Sequence, residues 1–308
     1  VQAEAIIIQE PRHVEFRAVT LTAPGDADLV VATAFSGIST GTEKLFWAGE
    51  MPPFPGMGYP LIPGYEAVGR VVEAGPENRH RLGDFVFVPG ANCYGPIRGL
   101  FGASASHIVL PAQRALTIDP ALGERGALLA LAATAWHASA GHAQPDLIVG
   151  HGVVGRLLAR IAVLHGAAPV VWEKNPTRRA GAQGYTVIDP AEDSAGKYKI
   201  IYDASGDAAL LDTLVSRLVP GGEICLVGFY DKIGFAFAPA FMREAKLRIA
   251  AQWQPSDLAA VRTNAESGAL DLRDLITHHA PASAAATAYQ TAFETADCLK
   301  LIIDWNLQ

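Results

Sequence analysis

One stretch limits what this chain can become more than any other. Leu147-Ile148-Val149 is a short apolar run that passes straight into Gly150-His151-Gly152-Val153-Val154-Gly155. A segment with helical apolar spacing follows from Arg156 to His165, and a second apolar run, Pro169-Val170-Val171-Trp172, ends on Glu173. Strand, glycine turn, helix, strand and terminal acid stand in register, and each glycine has a distinct task. Gly150 permits a tight turn, Gly152 lets backbone approach a pyrophosphate, and Gly155 lets the helix pack close to its strand. The helix start aims unpaired N–H groups and a positive dipole end at phosphate. A carboxylate roughly 20 residues on accepts hydrogen bonds from ribose hydroxyls. The expected ligand is a dinucleotide held by Gly150, His151, Gly152, Val153, Val154, Gly155 and Glu173, with His151 beside the pyrophosphate.

On either side of this unit the pattern differs. Residues 1–117 carry short β-branched runs (Ala5–Ile8, Leu29–Phe35, Glu66–Glu73, Asp84–Val88 and His107–Leu110) punctuated by Pro, Gly and Asp, as in an irregular barrel. From about residue 118 strands and helices alternate, which argues a parallel, doubly wound sheet. Gly126 to Pro145 is free of charge but holds Thr134, His137, Ser139 and His142, so it reads as a buried helix and not a membrane span. The expected fold class is α/β, with a β-barrel domain over 1–117 completed by 265–308 and a Rossmann domain over 118–264.

Bulk properties exclude several function classes. Half of the 308 residues are hydrophobic and 18% are charged, enough for two packed cores. A net charge of −7 with no basic run argues against nucleic acid as a partner. Cys93, Cys225 and Cys298 form neither a C-x-x-C pair nor a disulfide framework, which suits the cytoplasm. The opening residues are too short an apolar run, and too acidic, for a signal peptide.

The order barrel, nucleotide domain, short tail resembles the medium-chain dehydrogenase/reductase superfamily over nearly the whole chain. The motifs that carry the likeness are Pro63-Gly-Tyr-Glu-Ala-Val-Gly-Arg-Val-Val72, Gly83-Asp-Phe-Val86, Thr134-Ala-Trp136, Gly150–Gly155 and Leu275-Ile-Thr-His278. The resemblance implies that the first domain is GroES-like and that the tail returns to complete it. It also implies dimers, which are common among such proteins, although no residue here decides the matter. Zinc-dependent members bind metal through a Cys, a His and a later Cys or Glu. At the matching positions this chain has Ser39, Tyr65 and about Ala130, and only Cys93 lies where those members carry four structural cysteines. Hydroxyl and methyl groups do not make a tetrahedral zinc site, so no metal is expected and the chain reads as a zinc-independent member.

Within that branch, Phe35-Ser-Gly-Ile-Ser-Thr-Gly-Thr-Glu-Lys-Leu-Phe-Trp47 and Pro60-Leu-Ile-Pro-Gly-Tyr-Glu66 are similar to the members that oxidise bacteriochlorophyllides. The likeness implies oxidation of a 3-(1-hydroxyethyl) group to 3-acetyl, with NAD as hydride acceptor and a tetrapyrrole as substrate. An alcohol carbon joined to a conjugated macrocycle shares developing positive charge with the ring, so loss of the metal is chemically tolerable. A base or hydroxyl relay is then needed. The candidates are Tyr65, Thr42, Ser39 and His137; Tyr65 as a base needs its pKa lowered from about 10, and His137, in a helix that reads as buried, is more readily a satisfied core histidine.

Glu173 should repel a 2′-phosphate and favour NAD, whereas Lys174, Arg178 and Arg179 could pair with one. Ala204, Ser205, Gly228 and Phe229 lie at later strand ends, where the family places further cofactor contacts. The loop from Lys44 to Pro63 carries Phe46, Trp47, Phe54, Met57 and Tyr59, either as core or as a wall for a flat macrocycle. Arg98, with Arg243 and Lys44, is a candidate for a substrate propionate. Two rival readings remain at this stage: an NADPH-dependent quinone or enone reductase, and a non-catalytic dinucleotide- or tetrapyrrole-binding protein.

Overall fold

The computed structural model describes residues 2–307. Contacts divide the chain into two compact units, Val1–Ala130 with Leu272–Gln308, and Leu131–Asp271.

The first unit is built of short strands. β1 (Gln2–Glu10) pairs antiparallel with β2 (His13–Thr20). Next come β3 (Asp28–Ile38), helix α1 (Thr42–Ala48), β4 (Leu61–Pro63), β5 (Ala67–Ala74), β6 (Phe85–Val88), β7 (Arg98–Leu100), β8 (His107–Pro111) and β9 (Leu116–Thr117). Alternate residues of a strand point to opposite faces. In β1 both faces are covered: Ala3, Ala5 and Ile7 enter one core and Ile6 and Ile8 another. That is why Ala5-Ile-Ile-Ile8 is uninterruptedly apolar instead of alternating. α1 continues the chain beyond β3 and drops Phe46 and Trp47 into the second core, where they are 0% and 4% exposed.

Helix α2 (Leu129–Ser139) leads into the second unit. There β10 (Leu147–Val149), α3 (Val153–Leu164), β11 (Val170–Trp172), β12 (Thr186–Ile188), β13 (Tyr198–Asp203), α4 (Leu211–Arg217), β14 (Leu218–Leu226), α5 (Phe237–Met242), β15 (Lys246–Ile249) and α6 (Pro255–Glu266) follow in turn. The sheet order is β12-β11-β10-β13-β14-β15, all neighbours parallel. Strand order therefore reverses between β10 and β13, the crevice where such sheets bind ligands.

The tail supplies β16 (His278–Pro281), α7 (Ala285–Glu294) and β17 (Leu301–Asp304) to the first unit. β17 pairs antiparallel with β3, so the final strands extend the sheet that β3 begins, ordered β16-β17-β3-β5-β6-β9.

The units meet later in the sequence than the pattern of residue types suggests. Residues 118–130 stay with the barrel because Gly126 lies against Val68 and Ile118 so closely that a Cβ there would come within 2.9 Å and 2.7 Å of them. At the other end Arg160 of α3 donates to the carbonyl of Asp271 at 2.7 Å, tying the chain to the nucleotide unit past residue 264.

Candidate active site

In the nucleotide unit the three glycines perform three separable jobs. Gly150 has φ +95°, open to glycine at little cost, and its N–H bonds the carbonyl of Trp172 at 2.9 Å. A Cβ on Gly155 would stand 1.9 Å from the carbonyl oxygen of Gly150, so nothing larger than glycine lets α3 approach β10. Gly152 caps α3 with ordinary angles, φ −73° and ψ −172°, and a Cβ there would meet nothing within 4 Å. The space beside Gly152 is therefore open and not taken up by packing. Val153 is buried, so at this turn the chain offers backbone N–H groups.

Glu173 closes the cradle. Its Oε2 accepts the His151 N–H at 3.0 Å and its Oε1 accepts the Asn175 N–H at 2.8 Å. Both oxygens are thus fixed by backbone and keep further lone pairs for acceptance. Ala204 continues β13 with its N–H on the carbonyl of Val149, and Ser205 Oγ is bound to Asp203 Oδ1 at 2.6 Å. Gly228 packs on this turn: a Cβ there would be 2.7 Å from the Gly206 nitrogen. Phe229 beside it is 49% exposed.

Three expectations for this unit need correction. His151 does not face the pyrophosphate with its ring; the side chain is wholly buried, bonded through Nδ1 to the carbonyl of Arg178 at 2.6 Å and through Nε2 to Tyr185 Oη at 2.9 Å. Burial lowers its pKa to about 4. Arg179 is committed to the carbonyls of Glu173 and Lys174 and to the Asp189 carboxylate, leaving it unsuited to a 2′-phosphate. His137 on α2 pairs through Nδ1 with Asp257 Oδ2 at 2.8 Å. That carboxylate also caps α6 by accepting the Gln254 N–H, so His137 ties two helices together and does not stand as a free base.

In the barrel unit, Ser39 and Tyr65 are brought together: Ser39 Oγ and Tyr65 Oη are 2.6 Å apart. Burial, with the neighbouring Glu66 charge, raises the Tyr65 pKa above its ordinary value, although Ser39 and Thr42 favour the ionised phenol. The reading of Tyr65 as a base is corrected accordingly: it is a neutral hydroxyl that can donate or relay a proton, not a resting phenolate. Ser39, Tyr65 and the buried Ala130 are the positions that the resemblance matches to the metal ligands of zinc-dependent members, and two hydroxyls already bonded to each other plus a methyl group do not fit that ion. Among the described residues no group of three or more His, Cys, Asp or Glu side chains could hold a metal.

Beneath the hydroxyls lies a charged layer that sequence reasoning missed. Glu43 is fully buried; its Oε1 accepts the Ser39 N–H at 3.1 Å and its Oε2 the Tyr289 hydroxyl at 2.7 Å. Burial raises the Glu43 pKa to about 7. Glu66, also fully buried, accepts Lys300 Nζ at 2.7 Å, and the same ammonium donates to the carbonyl of Ile38 at 3.0 Å. Desolvation raises the Glu66 pKa while Lys300 opposes it. Glu66 takes the ammonium and Glu43 the Tyr289 hydroxyl, and the Glu43 contact to the Ser39 N–H and the Lys300 contact to the Ile38 carbonyl hold the Ser39 loop in place. A signal existed for Lys300, a lone cation in the otherwise apolar run Leu299–Ile303; Glu43 read as an ordinary first-turn acid of a helix.

The aromatic loop divides in two. Phe46 and Trp47 are core side chains, which removes both from a ligand wall, and the Tyr59 hydroxyl is bonded to the carbonyl of Phe46. Met57 and Tyr59 are partly buried against the same core. Phe54, 38% exposed, has its ring centroid 6.5 Å from that of Phe46, and Phe101, 37% exposed, lies 6.4 Å from Phe46 and 5.8 Å from Tyr65. An open aromatic rim thus adjoins the Tyr65 ring. Phe101 was not among the expected residues, since Gly99-Leu-Phe-Gly102 reads as a turn. Arg98 on β7 is exposed and donates to the Tyr59 carbonyl at 3.3 Å, on the same side of the loop.

A β-barrel unit completed by the chain's tail, together with a Rossmann unit, is the architecture of medium-chain dehydrogenases. Residues 25–120 match the model of the alcohol dehydrogenase GroES-like domain. The chain superposes on an alcohol dehydrogenase from Escherichia coli complexed with NADH (TM-score 0.83, 19% identity, 99% of each chain). A dehydrogenase from Sinorhizobium meliloti bound to NADP superposes similarly (TM-score 0.82, 19% identity, 99% of each chain). In sequence it is 60% identical to the 2-desacetyl-2-hydroxyethyl bacteriochlorophyllide A dehydrogenase of Cereibacter sphaeroides, over 98% of both chains. The chain belongs to the bacteriochlorophyllide A dehydrogenase family of the medium-chain superfamily. It is an oxidoreductase of the dehydrogenase type.

Proposed function

We propose that this enzyme oxidises the hydroxyethyl group of a bacteriochlorophyllide to acetyl, with NAD as acceptor and without zinc. The observation that carries the reading is the Ser39–Tyr65 hydroxyl pair, which takes the metal-ligand positions and adjoins the Phe54–Phe101 aromatic rim. Flat aromatic faces suit a macrocycle, and Arg98 nearby suits its propionate. A nicotinamide dinucleotide, when bound, supplies the hydride acceptor. Gly152 and the first N–H groups of α3 would hold its pyrophosphate, and Glu173 its ribose.

The residues of the chain manage the alcohol proton. Tyr65 takes the alcohol proton as it hands its own to Ser39 or Thr42, and the hydroxyls deliver that proton to solvent water, so that each hydroxyl ends neutral. Developing positive charge at the reacting carbon is shared with the conjugated ring, so a positioned relay can stand where a Lewis acid would otherwise be required. NAD is favoured over NADP by the fixed carboxylate of Glu173 and by the engagement of Arg179 elsewhere. A homodimer accords with the open edge of β15 and the exposed Phe237, Phe241 and Ile249 around it.

The test is an absorbance assay with hydroxyethyl bacteriochlorophyllide a and either nucleotide, with and without chelator. A red shift that depends on NAD and ignores chelator is expected. Activity abolished by chelator would overturn the zinc-free mechanism, and nucleotide binding without turnover would favour a carrier.

A further inference from the structure

In a βαβ unit the crossover between parallel strands is usually a helix. Between β11 and β12 this chain has a single 3-10 turn, Pro176–Arg178, and otherwise irregular backbone. Such a segment needs its polar groups satisfied from outside, and they are satisfied from beneath. Arg156, in the first turns of α3 and 6% exposed, donates through Nη2 to the carbonyls of Arg178 and Ala180, both at 2.9 Å. Its Nε donates to the carbonyl of His151 at 3.1 Å. Gly181, at φ +85°, leaves room for the guanidinium: a Cβ there would be 2.5 Å from Arg156 Nη1. The carbonyl of Arg178 can only accept, so His151 Nδ1 carries the proton and Nε2 accepts from the Tyr185 hydroxyl.

A buried cation near the positive end of a helix is unfavourable by itself. What it secures is the course of residues 173–181, the stretch that carries Glu173 and Arg179. With this backbone pinned, Glu173 points both oxygens at the turn and Arg179 is held against Asp189.

We propose that Arg156, with His151 and Tyr185, forms a buried clamp that sets the preference for NAD over NADP without touching the nucleotide. The inference rests on the reading that Glu173 faces the ribose. Arg156 is a positioning residue: it selects by fixing one backbone course and withholding the one in which Arg179 could reach a 2′-phosphate.

The experiment compares dissociation constants for NADH and NADPH, read by nucleotide fluorescence, with hydrogen exchange over residues 174–185. Arg156→Met should keep its circular dichroism, lower the NADH preference roughly tenfold, the size of one lost charge-assisted hydrogen bond, and speed exchange in that segment. Tyr185→Phe should move both readouts the same way by less. A folded Arg156→Met with wild-type preference and exchange overturns the proposal. If Arg156→Met does not fold, Arg156→Lys, which keeps the charge but cannot span the same carbonyls, takes its place under the same criterion. Glu173→Ala separates the two layers. An unchanged preference there removes the ribose reading and the proposal with it, whereas a changed preference there beside unaltered Arg156 variants removes the clamp alone.

Discussion

The hydroxyl oxygens of Ser39 and Tyr65 stand 2.6 Å apart, one just past the end of β3 and the other just beyond β4. On the proposed zinc-free reading, the task of this pair is to conduct a proton and not to polarise oxygen. Tyr65→Phe and Thr42→Val should each lower kcat about 100-fold, the lower end for a lost proton-transfer group, with NADH affinity unchanged. Steady-state rates alongside a fluorescence titration test this. Two variants at wild-type turnover would end the relay idea.

Lys300 and Glu66 form an ion pair with side chains 1% and 0% exposed. Removing one partner strands a buried charge, so Lys300→Met should cost about 3–5 kcal/mol in urea unfolding. Glu66→Gln combined with Lys300→Met should recover much of that loss. A double variant no more stable than the single would show that the pair is not the origin of the effect.

Glu43 gives a pH dependence with a definite sign. Its proton is held to about pH 7 in the folded chain but leaves near 4.5 when unfolded. This stabilisation is complete below about 4.5 and is lost as pH rises to about 7. Glu66, raised in the same direction, adds to the trend. Glu43→Gln cannot ionise, so its stability relative to wild type should rise across that window and level off above it. A constant difference from pH 4 to 8 would show that Glu43 does not titrate there.

Gly152 and Gly155 should fail differently. Gly155→Ala drives a Cβ into the Gly150 carbonyl, and thermal denaturation should show a destabilised protein. Gly152→Ala has both permitted angles and free space, so its melting should match wild type while NADH affinity falls. Normal NADH binding by Gly152→Ala would mean that the pyrophosphate does not lie against this turn.

The nucleotide unit was legible because its requirements are local. Glycines, helix and acid lie within 24 residues of one another, Gly150 to Glu173, and each backbone demand shows in a residue type. The barrel site was legible only as a set of candidates. Ser39, Thr42 and Tyr65 could be named from their positions, but Tyr289 and Lys300 reach the site from more than 200 residues away, at separations of 246 from Glu43 and 234 from Glu66. No spacing rule connects such pairs. Phe46 and Phe54 show the same gap: both are aromatic residues in one loop, and only packing decides that the first is covered and the second half open.

The returning tail also bears on how the protein is made. As the chain leaves the ribosome, β3 emerges well before its partner β17, which follows only after the whole nucleotide unit. Until then the Phe35–Ile38 end of β3 lacks its β17 partner, and Glu66 has no ammonium to meet it. The nucleotide unit, continuous in sequence, can fold while the barrel waits. Birth of the active site is therefore a late event, and the interval before it is when a nascent chain most needs shielding from others of its kind.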